Sequence, residues 1–310
     1  MSIEIRPVAT RDDIAELLAL REAVDPEHPM TLANFEDAQK GAGRLDVLAW
    51  DGGRVVGSAF VERHWGDPVS PTGYLSVRVR AEERRRGVGT ALLACVSDHV
   101  RGFGGTDLHA QFRGEAVDQQ AFLEHHGFRE VGRMQDVELD LSAVEARIDI
   151  PDGIEITAVQ ESHAPGMHAV GLEADADIPS ATPIRTGDLE RWYERHLGPL
   201  ALRDLSFVAF AGDEIVGFAI LGEDVPGIAG HWMTGVKRAW RGRGIAVALK
   251  QAQIAAAQAA GFERLRTQND LANAPMRRVN EKLGYRPRLE WLQYAGPLLS
   301  TQGGSHVAAD

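Results

Sequence analysis

The sequence is poor in cysteine, in basic charge and in long apolar runs, and each shortage excludes a class of protein. A single cysteine, Cys95, in 310 residues excludes an internal disulfide and a cysteine-based metal cluster. The formal net charge of −12 argues against nucleic-acid and anionic-membrane partners, which require a basic patch. No stretch reaches the roughly 18 to 20 continuous apolar residues of a membrane span, and the N-terminus does not resemble a signal peptide. We therefore expect a cytoplasmic protein without metal, nucleic-acid or membrane partners.

What the chain does contain is a glycine-rich phrase that occurs twice, RRRGVG at residues 84–89 and RGRGIA at residues 241–246. Each copy lies between a strand-like run and a long helix-like run. Glycine lets the main chain approach an anion closely, and the first turn of a helix presents free N–H groups at a positive terminus. Neither copy fits GxGxxG or GxxxxGK[ST]. Each phrase therefore predicts a pyrophosphate site for some other phosphate-bearing cofactor.

Both phrases belong to a longer internal repeat. AWDGGRVVGSAF at residues 49–60 recurs as AFAGDEIVGFAI at residues 209–220. The glycine phrases start 157 residues apart, at 84 and 241, and so do two Gly-aromatic-Arg phrases, at 127 and 284. A chain of this length holds two cores of about 150 residues. We predict tandem domains at 1–148 and 153–299, followed by a flexible tail at 300–310.

Hydrophobic periodicity places the elements of each domain. In the first domain it predicts a strand at 4–7, a helix at 11–24, a strand at 74–79 that leads to the glycine loop, and a last strand near 137–141. Asp-Gly at 51–52, between apolar alternations, predicts a hairpin. Strands and helices in this mixed order predict layered α/β domains.

The two phrases resemble the [R/Q]xxGx[G/A] signature of the GNAT superfamily of N-acetyltransferases, whose loop binds the pyrophosphate of acetyl-coenzyme A. The resemblance implies two tandem GNAT-like domains, each a mixed, mostly antiparallel sheet flanked by helices, with acetyl-coenzyme A as acyl donor and no metal. The implied cofactor-binding residues of the first domain are Val79, Arg84, Arg85, Arg86, Gly87, Val88, Gly89 and Thr90. Those of the second domain are Val236, Lys237, Arg241, Gly242, Arg243, Gly244, Ile245, Ala246, Asn273 and Asn280.

The catalytic residues are less evident. In many GNAT relatives a tyrosine four residues before the final Gly-aromatic pair protonates the leaving thiolate, and this sequence has Leu123 and Asn280 there. Since leucine has no proton to give, the resemblance implies a degenerate first domain and a catalytic second domain. In the second domain Asn280 is expected to donate a hydrogen bond to the sulfur or to the pantetheine arm. His231 is the candidate general base, with an ordinary strand histidine as the alternative, and Glu173 is a further candidate.

The predicted function is transfer of an acetyl group from acetyl-coenzyme A to a primary amine of a small molecule by direct attack. A group of acidic residues in the second domain predicts a cationic acceptor: Glu173, Asp175, Asp177, Asp188 and Glu190. Two alternatives stay open, a mycothiol synthase-like acetyltransferase and a non-catalytic acyl-coenzyme A sensor or interaction module. The expected state is a monomer or homodimer.

Overall fold

The computed structural model describes residues 3–26, 30–64, 67, 69–180, 184–225 and 227–299. These residues form two compact units. The first unit contains residues 3–112, 116–131 and 293–299, and the second contains residues 113–115 and 132–292. The predicted domain limits follow the sequence repeat, whereas each compact unit also includes a segment from the other half of the chain. The predicted tail at 300–310 lies outside the described residues.

Helices and strands alternate along the described chain. The α-helices are α1 (Arg11–Val24), α2 (Leu32–Ala38), α3 (Val88–Gly102), α4 (Val117–His125), α5 (Ala164–Asp175), α6 (Leu189–Leu197), α7 (Ile245–Ala259) and α8 (Ala274–Lys282). The strands are β1 (Glu4–Pro7), β2 (Leu45–Asp51), β3 (Arg54–Arg63), β4 (Thr72–Val79), β5 (Asp107–Arg113), β6 (Arg129–Asp140), β7 (Glu155–Ala158), β8 (Phe207–Ala211), β9 (Glu214–Val225), β10 (Ile228–Val236), β11 (Arg264–Asp270) and β12 (Arg286–Pro297). In the described residues no helix is both long and apolar enough to span a membrane.

The sheet of the first unit is mostly antiparallel. Strands β1, β2, β3 and β4 pair antiparallel in that order, and β4 pairs parallel with β5. Gly52 and Gly53 have φ of 57° and 81° at the turn between β2 and β3, so the predicted hairpin is present. Helix α1 begins at a capping box in which the Thr10 hydroxyl and the Asp13 carboxylate satisfy each other's backbone N–H groups.

The two faces of this sheet differ in polarity, because successive residues of a strand point to opposite faces. One face packs on α3, whose inward stripe is fully buried: Leu92, Leu93, Val96 and Val100. The opposite face carries Leu48, which packs against Leu17 and Leu20 of α1. The cross-strand rows of this opposite face are Leu48–Ser58–Arg78, Asp46–Phe60–Ser76 and Glu62–Tyr74–His109. The surface beneath α1 is therefore largely polar.

The second unit has the same kind of mostly antiparallel sheet, but different side chains cover the face beneath its helices. Its strands follow the order β6, β11, β10, β9, β8 and β7, and β10 pairs parallel with β11 while the other pairs are antiparallel. Beneath α5 and α6 the sheet contributes apolar residues to one core: Val208, Phe218, Ile220 and Met233. Trp192 of α6 packs edge-on against Phe218, with 5.6 Å between ring centroids. The predicted fold class, two α/β units with mixed, mostly antiparallel sheets flanked by helices, is confirmed.

Candidate active site

A cavity opens in the first unit where two parallel strands diverge. The pairing between β4 and β5 covers Thr72–Leu75 on β4, and the last four residues of that strand line the cavity. The cavity has a volume of about 610 Å³. It reaches from the start of α3, at Gly87, to the end of α1, at Val24. The end of β4 thus presents its edge to a space that borders both helices.

The glycine loop closes one end of this cavity. Gly87 has φ of 84° and occupies the N-cap of α3, where no side chain caps the helix. The first N–H groups of α3 consequently lack a side-chain acceptor and suit an anion. A side chain at Gly87 would meet no atom within 4 Å, so space for such an anion exists. Arg85 is also left-handed, with φ of 62°, a conformation that L-residues rarely adopt.

Most of the predicted first-domain cofactor residues line this cavity: Val79, Arg84, Arg85, Gly87, Gly89 and Thr90. Two others point elsewhere. Arg86 binds Glu83 and lies 3.5 Å from the Asp51 carboxylate. The Val88 side chain is buried in the core, at 1% exposure, because the helix turns it inward.

The wall opposite the loop is aromatic. Gly89 leaves room for the Phe122 ring, which lies 3.2 Å from the position of a Cβ at residue 89. The ring centroids of Phe122 and His126 are 4.5 Å apart, and His126 Nε2 lies 3.3 Å from the Thr90 hydroxyl oxygen. His126 Nδ1 is 2.8 Å from the Phe122 carbonyl, so this nitrogen donates its proton there. Sequence reasoning missed this wall, because none of the sequence motifs includes Phe122 or His126.

The other end of the cavity meets the polar face of the sheet. Arg44 donates two hydrogen bonds to Asp46, at 2.7 and 2.9 Å, and a third to Glu62 at 3.3 Å. The pKa of Arg44 is raised, since the hydrogen bonds and charges of the two carboxylates outweigh the effect of its burial. Burial raises the pKa of Tyr74 to about 12, so its hydroxyl keeps its proton at neutral pH. The polar residues at alternate positions 74, 76 and 78 of β4 are the sequence signal that could have revealed this face.

The second glycine loop has the same backbone but different neighbours. Gly242 and Gly244 have φ of 75° and 90°, and Gly244 is the N-cap of α7 without a capping side chain. Arg241 Nε donates to the Val236 carbonyl at 2.9 Å, and its Nη1 donates to Asp177 at 2.7 Å. Of the other predicted residues, Lys237 binds Glu214, Arg243 stacks on Trp240, Ile245 is buried in the core and Ala246 packs beside it.

Four of the acidic residues expected to face an acceptor have internal partners in the structure: Glu173, Asp175, Asp177 and Asp188. Arg238 and Arg241 hold the pKa of Asp177 well below its usual range. Glu173 accepts the backbone N–H of Arg238 at 2.9 Å. Asp175 accepts from the Thr186 hydroxyl at 2.9 Å while burial raises its pKa, and Asp188 caps α6.

His231 and Asn280, the other two predicted catalytic residues, lie in the interior of the second unit. His231 Nε2 is 2.5 Å from the Tyr285 hydroxyl, and burial lowers the pKa of the imidazole well below 6.5. Asn280 donates to Asn269 Oδ1 at 2.5 Å, while its own Oδ1 is buried without a hydrogen-bond partner in the described chain. Asn273 caps α8 through Met276 N–H.

No hydrogen bond or ion pair of the described residues joins Glu173 to His231 or to Asn280, so the three do not form one catalytic group there. Beside His231, a buried lysine went unnoticed in the sequence. Lys250 of α7 is 1% exposed and lies 5.3 Å from the Tyr285 ring centre, and burial lowers its pKa to about 7. In the part of the chain that the structure describes, no group of three His, Cys, Asp or Glu residues could hold a metal ion.

Comparison with known proteins identifies a family and similar solved structures. The model of the acetyltransferase (GNAT) family matches residues 11–128 and 174–285. A tandem GNAT protein of the clavulanic acid biosynthesis pathway is similar in structure, with a TM-score of 0.79 at 21% identity over 97% of this chain and 100% of that one. A GCN5-related N-acetyltransferase from Sphaerobacter thermophilus has a TM-score of 0.76 at 19% identity, over 96% of both chains. No curated protein matches significantly.

Proposed function

Because the chain belongs to the acetyltransferase (GNAT) family, we propose that it transfers an acetyl group from acetyl-coenzyme A to a primary amine, and that the first unit holds the acetyl donor. The observation that carries this proposal is the cavity between the diverging strands β4 and β5. It joins an uncapped helix N-terminus at one end to a polar sheet face at the other. The first feature suits a pyrophosphate and the second suits a polar acceptor.

The residues of the first unit fit coenzyme A in a specific way. The N–H groups that follow Gly87, together with Arg84 and Arg85, would hold the pyrophosphate. The end of β4 beyond Leu75 has its edge toward the cavity and would pair with the amide groups of the pantetheine arm. Bound acetyl-coenzyme A supplies a thioester carbonyl that an amine nitrogen attacks, so that a C–N bond forms as the C–S bond breaks.

The role of the chain is then to position the amine and to manage its proton. Attack requires a neutral amine, so the proton of an ammonium substrate leaves toward solvent or a carboxylate of the polar face, and the sulfur takes up a proton. Tyr74, with its raised pKa, holds a hydroxyl proton beside this face and can donate a hydrogen bond. Leu123 lines the cavity without any donor, as the sequence indicated.

A second candidate, a non-catalytic acyl-coenzyme A sensor, is favoured by Leu123 alone. Thiol release separates the two candidates. The proposed enzyme releases free coenzyme A only when acetyl-coenzyme A and a suitable amine are both present, across a panel of primary amines. A sensor binds acetyl-coenzyme A in calorimetry with no amine-dependent release, and that result would reject the enzyme.

A further inference from the structure

Arg78, on the wall of the cavity, and Arg21, on the neighbouring helix α1, lack the close carboxylate hydrogen bonds that Arg44 makes among the described residues. Arg78 lines the cavity from β4, and its side chain is 17% exposed. Its Nη1 donates to the Ser76 hydroxyl at 2.8 Å, and its Nη2 lies 3.9 Å from Asp25, at the outer limit of an ion pair. Arg44, which directly precedes β2 and stacks on Phe60 of the same face, has close bonds to two carboxylates. The positive charge of Arg78 is thus less fully compensated by carboxylates than that of Arg44.

Arg21 places a second guanidinium beside Arg78. It lies on α1, one turn before Val24, which also lines the cavity. Arg21 Nε is buried and has no hydrogen-bond partner in the described residues. Burial, and after it the charge of Arg78, lowers the pKa of Arg21 to about 10, so both groups are positive at neutral pH and repel each other.

Buried guanidinium groups without full compensation are costly, and an anion that enters between them removes both the repulsion and the unsatisfied donor. The planar fork of arginine suits a carboxylate or a phosphate, which it binds with two parallel hydrogen bonds. Resting on the proposed function, we infer that Arg78 and Arg21 form an anion subsite, and that the acceptor amine carries a carboxylate or phosphate group in addition to its amino group.

This subsite also orients the reaction. An acceptor held by its anionic group at Arg78 keeps its amino group within the same cavity, beside the end of β4 that borders the cofactor region. The acidic residues of the second unit that predicted a cationic acceptor have internal partners at four positions: Glu173, Asp175, Asp177 and Asp188.

Matched acceptor pairs test the inference with the wild-type protein. The first pair is an amino acid and its amide, and the second is an amino sugar phosphate and the unphosphorylated sugar. We expect kcat/KM for thiol release to favour the anionic member of one pair by about 10- to 100-fold, the range of a charge-assisted hydrogen bond. The pair that shows the preference identifies the anion as carboxylate or phosphate. Equal kcat/KM within both pairs overturns the subsite while leaving the proposed function intact, whereas no release with any amine overturns both.

Variants locate the preference. Arg78→Ala should remove the preference for the anionic member, mainly through KM, and leave calorimetric binding of acetyl-coenzyme A unchanged within a few-fold. Arg78→Lys keeps the charge without the fork and should retain part of the preference; it decides the matter if the alanine variant does not fold. Arg11→Ala, on the exposed start of the same helix as Arg21, is the matched control and should behave as wild type. A full preference in both Arg78 variants would contradict the assignment.

Discussion

Each unit has its own glycine loop with the same backbone conformation, but the cross-strand residue pairs beside the two loops differ. Their sheets align through the cross-strand pairs Gly57–Val79 and Gly217–Val236. The next row contains Ser58 and Arg78 in the first unit, and Phe218 and Gly235 in the second. A Cβ at Gly235 would lie 3.2 Å from the Phe218 ring, so aromatic packing fills the place that Arg78 takes in the first unit. The glycine loop alone therefore does not define a site; the neighbouring row decides whether polar space remains beside it.

The largest expected effect tests which loop binds the acetyl donor. Gly87→Asp puts a negative charge and a side chain into the space at the start of α3, where a pyrophosphate would bind. We expect affinity for acetyl-coenzyme A to fall by on the order of 10³-fold or more, because the added carboxylate repels the phosphates in a partly desolvated site. Calorimetry measures this loss, and thiol release should fall with it.

Two further variants complete that test. Gly104→Asp is the control, since Gly104 is also left-handed, with open space around it, in a turn after α3. Gly244→Asp makes the equivalent change in the second loop. Retained turnover in the Gly87 variant with lost turnover in the Gly244 variant would restore the expectation from sequence that the second domain is catalytic.

The next effect concerns the aromatic filling of the second unit. Phe218 is fully buried against Trp192, so Phe218→Ala should lower the free energy of unfolding by about 3–5 kcal/mol. In the first unit Phe60 lies two residues after Ser58, on the same face of β3, and its side chain is half-buried. The Arg44 guanidinium carbon lies 3.9 Å from the centre of the Phe60 ring. Phe60→Ala should reduce stability by only about 1–3 kcal/mol. Denaturant titration of both variants measures the difference, and equal losses would show that the two faces are packed alike.

The sequence predicted the elements of each repeat well, because each of these elements depends on residues that are close together in the chain. The hairpin at Gly52, helix α1 and the two glycine loops depend on turn residues, caps and periodicity within one segment. The last strand of the first repeat was predicted near 137–141, but β6 begins at Arg129, because its first residues are exposed and show no apolar alternation. The site was harder to predict. The pairing of Arg78 with α1, and of Asp177 with the second loop, joins residues distant in sequence, which no local pattern reveals.

A third comparison pairs a buried charge with a buried leucine. Lys250 lies at the position of α7 that corresponds to Leu93 of α3, and both side chains are almost fully buried. Because the pKa of Lys250 falls from 10.5 to about 7 on folding, the unfolded chain binds more protons between these values, so stability rises with pH from 7 toward 10. Lys250→Leu should remove this rise and increase the free energy of unfolding at pH 7 by about 2–4 kcal/mol.

The measurement for Lys250 is denaturant unfolding at pH 7, 8.5 and 10. His231 does not obscure the result, since its lowered pKa puts its titration below this window. Burial raises the pKa of Cys95 from its ordinary value of 9.0, so this thiol opposes the rise near the top of the window in wild type and variant alike. Above pH 10 the unfolded chain starts to lose tyrosine protons while Tyr285 keeps its own, so the window ends there. A wild-type stability that is flat from pH 7 to 10 would mean that Lys250 stays charged in the folded unit.

The smallest effect concerns the loop backbone itself, where Arg85 and Gly242 occupy the same left-handed position. Gly242→Ala should lower stability by about 1 kcal/mol, because alanine resists this conformation. Arg85→Gly should change stability by less than about 0.5 kcal/mol, because the relief of strain is offset by the greater freedom of glycine in the unfolded chain. Arg85 lines the cavity, so the same variant should weaken acetyl-coenzyme A binding by only a few-fold if the backbone N–H groups provide most of the phosphate contact. A loss as large as that of Gly87→Asp would instead assign the main phosphate contact to the Arg85 side chain.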